Sequence, residues 1–393
     1  MIKGKNILLQ LKGDKGLWVV LMFLSIASVL AVYSSTFTKA FVSAGGNTEY
    51  FLIKHLMVLT VSGMAAWVAY KTPFRWFIKL APLLLIVSII LLIGVLLFGP
   101  DINEARRWMR IPIIGMSFQP SELAKLSLIL YVAAKIAEKQ DRIKDFNEAF
   151  LPILIPILIV VGLIAPADLS TAALLFVTCT MMMIIGRVDW KYIALLILLG
   201  VVVLSILVLL GMFFPDLVRV ETWVTRINEF IHNSDGGYQV QQSKMAIAHG
   251  GWFGVGPGNS IQRNFLPYPY ADFIYAIIVE EYGLMGAISI IGVYLFLLWR
   301  VVILATRSNS AFAIVLAVGL ALNIIIQAFG NIAVSVQLVP VTGLTLPLVS
   351  MGGTSILIAS VSLGMMLSIS RYVNAEYKRR LNLQNTTVDE GHH

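Results

Sequence analysis

The sequence predicts an all-α, polytopic membrane protein with about ten transmembrane helices and a large outer loop before the eighth. Three observations predict it. Of 393 residues, 58% are hydrophobic and only 13% are charged, about half the charged share of an ordinary soluble domain. Mean hydropathy is +0.86. Apolar runs of the roughly 17–25 residues that a bilayer crossing needs recur along the whole chain.

The runs lie at about 17–36, 51–70, 76–98, 121–138, 150–165, 168–186, 190–211, 271–299, 311–333 and 343–370. The first follows a polar start, MIKGKNILLQLKGDKG, with no small-residue cleavage site, and reads as a retained span. The fourth is short and amphipathic. The fifth and sixth are separated by PAD (166–168), a tight turn. The eighth is entered through Pro267 and Pro269, which favour extended backbone. The tenth opens on PVTGLTLPLVSMGGTS (340–355), whose Pro and Gly mark a break or a close helix approach. Residues 1–372 read as a single transmembrane domain with an outer loop at about 212–270. Residues 373–393 read as a disordered cytoplasmic tail.

The net charge of +8 is an orientation signal in such a chain rather than a nucleic-acid footprint. Most Lys and Arg fall on the side of the N-terminus, from Lys3, Lys5, Lys12 and Lys15 to Arg371, Lys378, Arg379 and Arg380. Both termini are therefore expected in the cytoplasm. Two outer segments, 99–122 and 212–270, hold Arg on the side that usually avoids it. Long loops without function are uncommon, so the outer face is expected to be the working face. The single cysteine, Cys179, lies in an apolar run and reads as packing. There is no phosphate-loop, zinc, nucleophile-elbow or dinucleotide motif.

The stretch FLPYPYADFIYAIIVEEYG (265–283) carries acid groups in a membrane setting. Asp272 falls at the outer mouth of the eighth span, where it is either a helix cap or a general base facing a cavity. Glu280 and Glu281 lie about 12 Å deeper, where ionised groups must pair or face the protein interior. They read as packing networks more than as parts of one site with Asp272. In QPSELAKL (119–126), Glu122 and Lys125 share a helix face. They form either a structural ion pair or part of a polar cavity, with Arg106, Arg107 and Arg110 close in sequence. Asp168 either caps the sixth span or serves a site. GGYQVQQSKMAIAHGGWFGVGPGNS (236–260) is amphipathic and then glycine-rich, with Lys244 as a possible phosphate contact.

Taken together, RRWMRI, QPSELAKL, DLSTA, GGYQVQQSKMAI, FLPYPYADFIYAIIVEEYG and PVTGLTLPLVSMGGTS resemble the marks of the SEDS family (shape, elongation, division and sporulation), the RodA and FtsW proteins of bacteria. The resemblance covers essentially the whole chain, and its last two marks are closer to the division branch, FtsW. It implies a peptidoglycan glycosyltransferase of the bacterial cytoplasmic membrane with an extracytoplasmic active face. The implied substrate is lipid II, a disaccharide-peptide on undecaprenyl pyrophosphate. Asp272 matches the family's essential aspartate, with general base as its role. Arg106, Arg107, Lys125, Lys244 and Arg263 become candidates for stabilising the leaving pyrophosphate, and Glu122 and Lys125 match central-cavity positions. Asp168 is grouped with the substrate-binding candidates. A divalent cation, magnesium or manganese, is the implied cofactor, and no organic cofactor is expected. Implied partners are a class B penicillin-binding protein transpeptidase and other division proteins. No nucleic acid is expected. The chain departs from the family at Tyr268, often Glu; at Ala271, often Ser or Thr; and at Ala167, inserted in the P-D-L-G-T-A pattern. A lipid II flippase and a non-catalytic scaffold are the competing readings.

Overall fold

The computed structural model describes residues 12–36, 48–100, 107–111, 116–213, 220–232 and 237–390. Its helices are α1 (Lys15–Ser35), α2 (Thr48–Lys71), α3 (Arg75–Phe98), α4 (Pro120–Glu138), α5 (Leu151–Ile164), α6 (Leu169–Ile185), α7 (Trp190–Phe213), α8 (Val220–His232), α9 (Tyr238–Gly250), α10 (Ile274–Arg307), α11 (Ala311–Ser335) and α12 (Gly353–Glu390). A short hairpin of β1 (Met109–Ile111) and β2 (Met116–Phe118) pairs Met109 with Phe118.

Among the described residues, 8 helices are long and apolar enough to cross a membrane. The two other expected spans hold α6, apolar but only 17 residues long, and α4. Helix α4 carries Glu122, Lys125, Lys135 and Glu138, yet most of its length is buried in the bundle. Glu122 and Lys125 are shielded by protein, while Lys135 and the exposed Glu138 lie in its last turn, which is how an amphipathic helix can sit at membrane depth. In α11 and α12, 72% of the apolar stretch is buried, against 17% in α7. The bundle is therefore built around α4, α11 and α12, with α7 at its rim.

Polar side chains tie the helices laterally. Ser88 and Ser127 join α3 to α4 at 2.8 Å. Ser28 and His55 join α1 to α2 at 2.9 Å. Such bonds hold helices together where lipid offers no hydrophobic driving force. At the end of the bundle where α1 begins, Asp14 caps that helix through Gly16 N at 2.8 Å. It also pairs with Arg300 of α10, and its own N–H donates to Ser370 of α12. The flanking ends of the helices carry Lys71, Arg75, Lys79, Arg307 and Arg371, so this end is the basic one.

Two elements start later than the sequence suggests. Helix α10 begins at Ile274, so Asp272 precedes it instead of lying in its first turn. Helix α12 begins at Gly353, ten residues after the expected start of the last span. The intervening residues are non-helical, with positive φ at Gly343 (70°) and Leu348 (63°). Pro340 and Pro347 cannot donate to a helix, and this segment finds its hydrogen bonds elsewhere. Helix α12 then continues to Glu390, across the stretch read in the sequence as a disordered tail.

Helix α10 breaks at Gly283 (φ 66°, ψ −162°). The break frees carbonyls that a crossing loop takes up. Val255 N donates to Glu280 O and Gly256 N to Glu281 O, both at 3.0 Å, while Leu284 N donates to Gly251 O at 2.9 Å. A Cβ at Gly250 or Gly254 would overlap the Val279 or Glu281 carbonyl, so only glycine fits this crossing. The carboxylates below bind the same loop. Glu280 accepts from Ile261 N at 3.1 Å, pairs with His249 at 3.0 Å and accepts from Ser260 Oγ. Glu281 accepts from Ser34 Oγ of α1. Both acids thus staple the loop to the bundle. Gly254→Ala is expected to cost about 1–3 kcal/mol through this overlap. A lowered melting temperature in detergent would show it, and an unchanged one would mean the crossing is not tight.

Candidate functional site

At the end of the bundle opposite the Asp14 clasp, a cavity of about 280 Å³ opens between the hairpin, the starts of α4 and α6, and the segments before α10 and α12. Arg107, Glu122, Asp168, Tyr268, Asp272 and Gly343 are among its lining residues. Four of the sequence-predicted residues therefore meet in one place. Lys125 sits just behind them.

Asp272 does not cap α10. The cap residue is Phe273, and no side chain bonds the helix start. The Asp272 carboxyl is partly exposed to the cavity. Burial pushes its pKa above the ordinary carboxylate value. Arg107 and Arg226 oppose that shift, and Asp168 adds to it. Tyr270 nearby is pushed up to about 12, mainly by burial, so its phenol stays protonated.

The backbone of this short stretch is clamped. Tyr270 O accepts from Met351 N at 2.8 Å, Ala271 O from Ser350 Oγ at 2.6 Å, and Asp272 O from Asn331 Nδ2 at 2.7 Å. Asn331 Nδ2 also donates to Leu344 O at 2.7 Å. Two carbonyl partners fix which end of this amide is NH₂. Three successive carbonyls are thus held by α11 and the segment before α12, and the carboxylate is aimed from a rigid base.

Asp168 does both things its sequence position allows. Its Oδ1 caps α6 at Thr171 N, 3.0 Å away, and its Oδ2 pairs with Arg107 Nη1 at 3.3 Å. Glu122 and Lys125 form an ion pair of 2.9 Å, with Lys125 1% exposed. Lys125 also donates to Gln327 Oε1 at 2.8 Å, and Gln327 Nε2 donates to Thr345 O at 3.0 Å. Lys125 is thus locked into the cavity's floor instead of reaching into it.

The other expected cations lie elsewhere. Lys244 on α9 donates to Gln337 at 2.8 Å, and Arg263 donates to Ser34 O at 3.2 Å, beside Glu281. Neither lines the cavity, because α9 and the following loop are strapped to a different face of α10. Arg106 falls outside the described residues, as does the side chain of Arg110. Asn331, Gln327, Ser350 and Arg226 were not singled out in the sequence. The available signal was a pair of amides, Gln327 and Asn331, one helical turn apart inside an apolar run. Among the described residues, no three His, Cys, Asp or Glu side chains are grouped to hold a metal ion.

Asn331→Leu leaves the Asp272 and Leu344 carbonyls without donors. It is expected to lower stability by about 1–3 kcal/mol, read as a lower melting temperature in detergent. An unchanged melting temperature would show that the clamp contributes nothing.

The profile of the FtsW, RodA and SpoVE family, described as cell cycle proteins, matches residues 14–375. A probable peptidoglycan glycosyltransferase FtsW of Halomonas elongata is 34% identical over 90% of this chain and 89% of its own. The protein of the same name from Bacillus subtilis is 32% identical over 93% of each chain. Among solved structures, a chain of a peptidoglycan synthase complex, described as coordinating polymerization and crosslinking, superposes with a TM-score of 0.71 at 25% identity, covering 92% of this chain and 98% of that one. The rod shape determining protein RodA of Thermus thermophilus superposes with a TM-score of 0.65 at 24% identity, covering 91% and 97%, and shares the fold. With the matched profile spanning nearly the whole bundle and its Asp272 cavity, this multi-pass membrane protein belongs to the FtsW/RodA/SpoVE family.

Proposed function

We propose that the chain is a peptidoglycan glycosyltransferase that polymerises lipid II into β-1,4 glycan strands during cell division. The observation that carries this is the Asp272 cavity: a carboxylate clamped by its own backbone, free of any cap, facing an open polar space at one end of the bundle. Probable glycosyltransferase relatives at about a third identity support the reaction class.

Asp272 acts as the general base. Its carboxylate takes the proton of the acceptor sugar's 4-hydroxyl as that oxygen bonds to the donor's anomeric carbon. The bond from that carbon to the diphosphate oxygen breaks, and the electron pair leaves with the diphosphate. Arg107, held by Asp168, supplies fixed positive charge near the reacting atoms. A divalent cation, magnesium or manganese, fits the site only with most ligands drawn from diphosphate and water, as Mg²⁺ commonly binds. Asp168, which lines both this cavity and the one beside it, would be its protein ligand, leaving Asp272 free as the base, and the cation would neutralise the developing charge.

The chain is read as lying in the bacterial cytoplasmic membrane. Its basic end, with both termini, faces the cytoplasm, and the Asp272 cavity faces outward. A class B penicillin-binding protein is the proposed partner for crosslinking, in keeping with the synthase complex that resembles this chain. A flippase would need a polar route through the whole bundle. The cavity instead lies at one end, floored by the buried Glu122–Lys125–Gln327 group.

Purified chain with its class B partner, lipid II and a divalent cation is expected to make polymer. Asp272→Asn is expected to lower the rate by at least about a hundredfold. Equal polymer from a folded Asp272→Asn protein would remove Asp272 from the chemistry. The base works ionised, and its pKa is raised. Activity is therefore lost as pH falls through a value above the ordinary carboxylate pKa of about 4. A pH–rate profile with its acid limb at or below that value would contradict the burial of Asp272.

A further inference from the structure

Two cavities meet at the Arg107–Asp168 pair. The second, of about 220 Å³, lies between α8, the turn before α6 and residues 340–342. Arg107, Asp168, Trp223, Arg226, Val341 and Thr342 are among its lining residues. The two spaces differ in charge. Among the described lining residues, the first sets Asp168, Asp272 and Glu122, itself paired with Lys125, against Arg107. Among the described lining residues, the second sets Arg107 and Arg226 against Asp168. A dianion is repelled by the first and attracted by the second.

Unspent hydrogen-bonding capacity points the same way. Arg107 gives Nη1 to Asp168, while its buried Nε has no partner among the described residues. Thr342 Oγ1 is also buried without one. Buried polar groups are nearly always paired, so unpaired donors on residues lining a cavity mark where acceptor atoms of a ligand belong. Arg226 is positioned by an Nη1 bond to Val341 O at 3.2 Å. The indole of Trp223 adds a flat apolar wall, suited to the start of a prenyl chain or the face of a sugar.

We propose that the second cavity binds the prenyl diphosphate of the glycan donor through Arg107, Arg226 and Thr342, leaving the Asp272 cavity to the neutral acceptor sugar. This rests on the polymerase reading above. The anomeric carbon then lies at the Arg107–Asp168 wall. The acceptor oxygen gives its proton to Asp272 on one side. The electron pair of the broken bond stays on the diphosphate, facing the guanidinium groups on the other.

The test is anisotropy of a fluorescent short-chain prenyl diphosphate with the full chain in nanodiscs. Arg226→Gln is expected to weaken binding about tenfold or more, with Arg226→Lys recovering part of it. Asp272→Asn is expected to bind as tightly as the parent or tighter, since it removes a negative charge. Inorganic pyrophosphate is expected to displace the probe, and phosphatidylglycerol in excess is not. Unchanged affinity in folded Arg226→Gln, or equal displacement by phosphatidylglycerol, would overturn the proposal. The polymerase reading fails separately: a chain that binds the probe through Arg226 but makes no polymer keeps this site and loses that function.

Discussion

Every carbonyl inside a membrane bundle needs a donor, and residues 340–352 have no helix to supply one. Leu346 O and Gly352 O find backbone donors nearby, and others are met by side chains. Leu344 O is met by Asn331, Thr345 O by Gln327, Pro347 O by Tyr294 at 2.6 Å, and Val349 O by Ser28 at 2.9 Å. Ser28 lies seven residues before the end of α1, about 10 Å into the bundle, so the segment reaches well below its surface. One polar side chain each of α1 and α10 and two of α11 hold it. In return, irregular backbone lines the Asp272 cavity, where a continuous helix would have filled it.

The acids of the 265–283 stretch show how environment divides one residue chemistry into two uses. Glu280 receives backbone N–H, hydroxyl and imidazole partners from the crossing loop, and it is 0% exposed. Its lone pairs are committed, and it serves as a structural anchor. Asp272 has its backbone carbonyl committed and its carboxylate turned to the cavity. The stretch reads as uniformly acidic and apolar, but its acids differ in what is left over after folding.

Much of this was legible in the residues alone. Apolar runs located the helices because lipid and core select the same side chains. Asp272, Asp168, Glu122 and Arg107 were visible because charge is costly in such a setting and therefore rare. The clamp was not visible. Asn331 and Gln327 are neutral, and within an apolar helix they look like ordinary lateral glue. The start of α12 was misplaced because Pro347 and Gly343 lie among residues as apolar as any span. Lys244 and Arg263 were grouped with the site because positive charge on the outer side was the only criterion available. Only the crossing at Gly283 shows that their loop is carried to another face. Arg226 lay in a long outer segment where an apolar helical period, Val220, Trp223, Val224, Ile227 and Ile231, is present but was not resolved into a helix.

The donors that hold residues 340–352 are spread from α1 to α11, with Ser28 and Val349 321 positions apart in the chain. Helices that enter a membrane one after another can satisfy their own backbones as they arrive. This segment cannot, since its carbonyls wait for partners on several earlier helices and it is itself among the last parts synthesised. The cavity is therefore assembled at the end of biogenesis. A chain arrested before α12 would be threaded through the bilayer, largely helical and without a site.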